Sequence, residues 1–152
     1  MIKLSSGLCS AIITSYGLGS MMQYGHIRLF TGAQPSSANN AQTGTLVAVI
    51  TAGGEDPPAP GETTGGLEFE AGALPGTLAG RGTWMLKGLA TGVPGWWRFV
   101  WNGTDDGADS MELPRIDGLI GEAVSMPTGV SSVTSATLVT VPKFVITMPA
   151  QA

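Results

Sequence analysis

From residue 26 onward, apolar and polar positions alternate with a period of two, the spacing of half-buried strands. In 26–30, Ile27 and Leu29 fall on one side, with Arg28 and Phe30 on the other. The β-branched run 45–51 is apolar on both sides at Leu46, Val47, Val49 and Ile50, which suits an interior strand. Further strands are predicted at 67–69, 82–89, 96–101, 116–120, 135–141 and 143–148. Turn signals separate them, among them Gly32-Ala33-Gln34-Pro35, Leu74-Pro75-Gly76 and Gly92-Val93-Pro94-Gly95. Pro142, between the last two strands, calls for a corner, a bulge or a sheet edge. About eight short strands at this spacing predict an all-β antiparallel sandwich, jelly-roll-like in character. The predicted core is Ile27, Leu29, Trp84, Trp97, Phe99, Trp101, Phe144 and Ile146. Trp97, Phe99 and Trp101 share one face of the most aromatic strand and bring a large apolar payload inward.

The first 24 residues differ. Leu4, Leu8, Ala11, Ile12 and Ser15 fit a helical stripe, with Gly17 and Gly19 as terminators. The alternative is an extended arm lying on a neighbouring subunit, a contact that Met21 and Met22 suit. The expected organisation is therefore an arm or short helix over 1–24 and one sandwich domain over 25–152. Two loops stand out. Pro57, Pro58 and Pro60 forbid a ladder in 53–61, and 102–112 is long and polar.

Composition changes this picture in one respect. Charged residues make up 12% of the chain, about half the ~25% usual for soluble domains. A surface so poor in charge suits a subunit partly covered by neighbours. Net charge is −4 and the isoelectric point about 4.7. Seven scattered basic residues form no patch, which argues against nucleic-acid binding. No stretch approaches about 20 apolar residues, so no membrane-spanning helix is expected. The apolar run after Lys3 is too broken by Ser5, Ser6, Gly7 and Ser10 to read as an export signal, so synthesis in the cytoplasm is expected. Cys9 is the sole cysteine; it reads as a small buried hydrophobe and excludes an intrachain disulfide.

Candidate chemistry is sparse. Asp105-Asp106-Gly107-Ala108-Asp109 gathers hard oxygen ligands but misses the spacing of a calcium loop, and reads better as turn geometry. His26 is the sole histidine, and no G-x-S-x-G elbow presents a serine to it. Glu55, Asp56, Glu62, Glu68 and Glu70 could supply a glycosidase pair, yet most lie in a Pro/Gly loop that holds geometry poorly. Trp96, Trp97 and Trp101 with Arg98 could form a sugar-stacking platform. No metal, cofactor or catalytic residue is assigned, and no enzyme is expected.

Three groups of segments carry a resemblance. The first is Arg28-Leu29-Phe30-Thr31-Gly32-Ala33-Gln34-Pro35 with Thr43-Gly44-Thr45-Leu46-Val47-Ala48. The second is Gly82-Thr83-Trp84, Ala90-Thr91-Gly92 and Gly95-Trp96-Trp97-Arg98-Phe99. The third is Arg115-Ile116-Asp117-Gly118-Leu119-Ile120-Gly121 with Ile146-Thr147-Met148-Pro149-Ala150. Together they resemble small virion structural proteins of tailed bacteriophages, some of which are jelly-roll cement or decoration proteins. The resemblance implies a capsid cement protein on the outer surface of the phage head. It would bind the major capsid protein and itself, as a homotrimer, with no direct contact to nucleic acid or membrane. A neck, tail or fibre component is the alternative; a carbohydrate-binding sandwich is an alternative of another class. Partner contacts are expected at Leu8, Ile12, Ile13, Met21 and Met22, at Pro57, Pro58 and Pro60, and at Asp105 and Asp106.

Overall fold

A computed structural model describes residues 1–14, 17–142 and 144–147. Ser15, Lys143, Met148, Pro149 and Ala150 lie outside the described residues, as does the side chain of Ile13. The elements in chain order are β1 (Lys3–Leu4), α1 (Ser6–Thr14), α2 (Leu18–Met22), β2 (His26–Phe30), β3 (Leu46–Ala52) and β4 (Glu68–Ala71). Then follow β5 (Thr77–Arg81), β6 (Trp84–Gly88), β7 (Trp96–Val100), β8 (Arg115–Leu119), β9 (Leu138–Thr140) and β10 (Val145–Thr147).

The strands form two antiparallel sheets, one of seven in the order β1-β8-β7-β2-β3-β6-β9 and one of three in the order β10-β5-β4. The fold is an all-β sandwich, with ten strands among the described residues where periodicity gives eight. The two extra strands are β1 and β5. Pro142 stands where the chain leaves β9, at one edge of the large sheet, to enter β10, at one edge of the small one. A proline fits there because it withdraws no donor from an interior ladder.

The inner face of the large sheet presents Ile27, Leu29, Ile50, Trp84, Leu86, Trp97, Phe99 and Ile116, all buried. Phe69, Phe144 and Ile146 meet them from the small sheet and its approach. Phe69 sets its ring edge-on to Trp84, Phe99 and Phe144, at centroid distances of 5.2, 5.9 and 5.7 Å. Such edge-to-face pairs add to the stabilisation from burial alone. Trp101 lies just beyond β7 and is only partly buried against this cluster.

The N-terminal segment is part of this body rather than an arm. Lys3 and Leu4 pair with Asp117 and Ile116 at the edge of the large sheet. Buried Ser5 then starts α1: its Oγ accepts from the Leu8 N–H at 3.1 Å, an N-cap bond. The same oxygen accepts from the Arg115 N–H at 2.8 Å and donates to the Leu113 carbonyl at 2.7 Å, tying the helix start to β8. Gly17 lies between the helices as expected, but Gly19 sits inside α2 rather than ending a helix, and Cys9, expected to be buried, is exposed on the outward side of α1 while Leu8 beside it faces the core.

Candidate functional site: a charged layer beneath two loops

The outer face of the large sheet carries the unusual chemistry. In register across it run Asp117 (β8), Arg98 (β7), Arg28 (β2), Val49 (β3) and Lys87 (β6). The adjoining row holds Arg115, Val100 and His26. Alternation assigns this face to solvent, yet Arg98, Arg115 and Asp117 are fully buried. Two loops cover them. In one, Asn102 accepts from the Gly61 N–H and donates to the Glu62 carbonyl, which holds the proline loop over the sheet. The other, 102–114, sends Asp105 down into the layer.

Each buried guanidinium has a bidentate carboxylate. Arg98 Nε and Nη2 donate to Asp117 Oδ1 and Oδ2, both at 2.8 Å. Arg115 Nε and Nη2 donate to Asp105 Oδ2 and Oδ1 at 2.6 and 2.5 Å. Such forks are the geometry in which arginine best offsets its own desolvation. Burial holds the Asp117 carboxyl above the usual range, with Arg98 offsetting it only in part. Burial also acts to raise Asp105, but hydrogen bonds from Arg115 and from the Gly107 N–H outweigh it and leave that carboxyl lowered.

Arg28 is different. Its Nε donates to His26 Nε2 at 3.2 Å and its Nη2 to the Asp105 backbone carbonyl at 3.0 Å. No carboxylate pairs with it among the described residues. Burial, then the Arg115 and Arg98 charges, hold its pKa below the usual arginine value, against the pull of Asp105 and Asp106. Above it opens a groove of about 540 Å³, whose walls include Leu46, Val49, Pro57, Pro58, Pro60 and Leu89.

His26 must be neutral at Nε2 to accept from Arg28. Burial first, then the Arg28 charge, push its pKa down to about 4 from 6.5, while Asp105 acts the other way. Between those values the unfolded chain binds the proton and the folded one does not. Stability is therefore full above about pH 6.5 and falls as pH drops towards 4. The shift corresponds to about 3 kcal/mol. Urea unfolding at pH 7.0 and 4.0 should show a loss of that size. His26→Gln, which keeps an acceptor for Arg28, should flatten the dependence, and a flat wild-type curve would refute the assignment.

The sequence-predicted site residues fall into distinct places. Leu8 and Met22, expected to face a partner, are buried in the chain's own core. Their stripe seats the helices on the sheets, and an apolar stripe does not say whose surface it covers. Ile12 and Met21 are partly buried against the same core. Asp105, also expected at a contact, is buried under Arg115, whereas Asp106 is exposed. Pro57 and Pro60 are exposed and Pro58 half-buried. The acidic run does not gather into a cation site among the described residues. Asp105 and Asp106 accept from the Gly107 and Ala108 N–H groups, and Asp109 from the Ala41 N–H.

Trp96 and Arg98 are fully buried, so they offer no sugar-stacking platform. Trp96 stacks on Phe30 at 4.6 Å, and the Arg98 guanidinium lies 5.4 Å from the Trp96 ring centroid. Glu68 faces Arg81 at 3.7 Å, and Asp56 pairs with Lys87 at 2.6 Å. Among the described residues, no helix is long and apolar enough to cross a membrane. Comparison with protein-family models, with curated proteins and with solved structures finds no match for this chain.

Proposed function

We propose that this chain is a tailed-phage capsid cement protein, bound to the outside of the assembled head and joining neighbouring major capsid subunits. The observation that carries the reading is the set of segments resembling small phage virion proteins. Most of them fall on β2, β3, β7 and β8, neighbours in the large sheet, and on the turns beside them; Trp84 starts β6, Ile146 and Thr147 belong to β10 of the small sheet, and Met148, Pro149 and Ala150 lie outside the described residues. The resemblance does not extend to the proline loop 55–61 or to 102–113; both border the groove on the outer face, where particle-specific contacts belong.

The rest of the molecule is compatible with a protein that acts by binding. His26, the candidate base, is buried and occupied by Arg28. Large apolar side chains are exposed at Leu74, Val93, Met111, Leu119 and Leu138, material for contacts with a surrounding lattice. A cement protein binds the expanded head and not its precursor, and so stabilises the expanded state by mass action. A cyclic trimer at three-fold positions is the assembly proposed here.

Copy number tests the reading. Quantitative mass spectrometry of purified source particles, with cryo-EM to locate the density, should find on the order of hundreds of copies on the head surface. About a dozen copies or fewer, at a vertex or on the tail, would replace it with the neck, tail or fibre alternative.

A further inference from the structure

We propose that the groove over Arg28 is a self-association site that receives Met111 and Glu112 of a second copy of this chain. The Glu112 carboxylate would pair with the Arg28 guanidinium, and Met111 would lie on the apolar wall. This goes beyond the capsid reading and does not depend on it, since a chain can associate in solution this way without binding a head.

The charge count in the outer layer motivates the site. Three guanidiniums, those of Arg28, Arg98 and Arg115, share two carboxylates, those of Asp105 and Asp117. Both carboxylates are fully used by Arg98 and Arg115. Arg28 is left half-buried with only a neutral imidazole and a carbonyl as partners. A cation in that state gains more from an incoming carboxylate than an exposed one, because much of its desolvation has already occurred. Asp56, the nearby acid on the groove rim, is held by Lys87. The remaining walls at Leu46, Val49, Pro58 and Leu89 favour an apolar neighbour to the charge.

The occupant follows from what the surface offers. Among the described residues, seven large hydrophobic residues are exposed: Met1, Leu74, Leu89, Val93, Met111, Leu119 and Leu138. Of these, only Met111, 71% exposed, is adjacent in sequence to a carboxylate, that of Glu112. Glu112 is exposed, and its carboxylate has no ion-pair partner among the described residues. The loop is held ready: Ser110 Oγ accepts from the N–H groups of Glu112 and Leu113, and the Ser110 N–H donates to the Asn39 carbonyl at 2.8 Å. A pre-ordered loop loses less entropy on docking. Groove and loop are different patches, so the contact is head-to-tail and closes into a ring or extends as a chain.

Sedimentation velocity on the purified full chain, over a concentration series, reads the contact. Wild type is expected to show concentration-dependent association. Glu112→Arg and Met111→Ser, both on an exposed loop, should each weaken it by about tenfold or more. Arg28→Glu should do the same, and Arg28→Glu combined with Glu112→Arg should restore it. Should Arg28→Glu fail to fold, the two loop variants still decide the matter. A wild-type chain that stays monomeric up to about 1 mM overturns the proposal. So does an oligomer indifferent to both loop substitutions.

Discussion

Arg98→Met is expected to cost about 3–5 kcal/mol of folding stability, because it leaves the Asp117 carboxylate buried without its ion-pair partner. Both side chains are completely inaccessible. Met resembles Arg in its stem, so packing changes little and the lost charge dominates. The Asp117 carboxyl already sits above its usual range through burial; without Arg98 only neighbouring cations would hold it down. The Asn40 carbonyl also loses its bond from Arg98 Nη2, 2.9 Å in length. The measurement is the urea midpoint at pH 7.

The companion variant separates the pair from its parts. Arg98→Met combined with Asp117→Leu removes both charges, and is expected to be more stable than Arg98→Met alone. A buried ion pair gains little net stability over apolar residues of similar volume. Here Arg98 Nη1 is itself buried without a partner, which weakens the case for the pair further. If the double variant is no better than the single, the cost lies in packing around Arg98, and the stranded-charge account fails.

The same layer marks where the sequence was hard to read. Alternation along 26–30 and 96–100 correctly separates Ile27, Leu29, Trp97 and Phe99 from His26, Arg28, Trp96 and Arg98. It says nothing of what covers the second set. Arginine on one face of a strand is ordinarily solvated, and only the arrival of loops 53–65 and 102–114 reverses that. Two signals were present. The strand around Val47 and Val49 is apolar on both faces, as a doubly covered sheet requires. A chain with few charges also places Arg28, Arg98 and Asp117 on predicted strands, Arg115 beside one and Asp105 in a loop, enough for two pairs.

The missed elements have their own reasons. In β5 the residues are Thr77, Leu78, Ala79, Gly80 and Arg81, with one large hydrophobe and a glycine. It is a strand because β4 and β10 hydrogen-bond to both its edges. Its glycine has a packing role: a Cβ at Gly80 would come within 2.6 Å of the Trp84 ring. Strand β1 is two residues long, below any periodicity. Its pairing with β8 is what turns an apparent arm into an edge of the sheet. Local pattern fixes a strand's faces; its neighbours are a property of the whole fold.

Trp97→Ala is expected to destabilise the fold by about 3–5 kcal/mol, as for large aromatic truncations in tight cores. Trp97 is fully buried in the centre of the inner face of β7. Its ring packs edge-on to Phe144 at 6.0 Å, reaching across to the approach of the small sheet. The neighbouring strand makes room for it at Gly118, where a Cβ would lie 2.5 Å from the indole. Ala would leave that space empty, with a rigid sheet beneath it unable to collapse. The indole N–H adds a polar anchor, donating to the Leu119 carbonyl at 3.1 Å and the Glu122 carbonyl at 2.9 Å. Trp97→Phe keeps most of the volume but loses this donor, and should cost less, about 1–3 kcal/mol. Denaturant unfolding of the two variants gives the ordering. Trp97→Ala within about 1 kcal/mol of wild type would mean that the two sheets do not close on Trp97 as described.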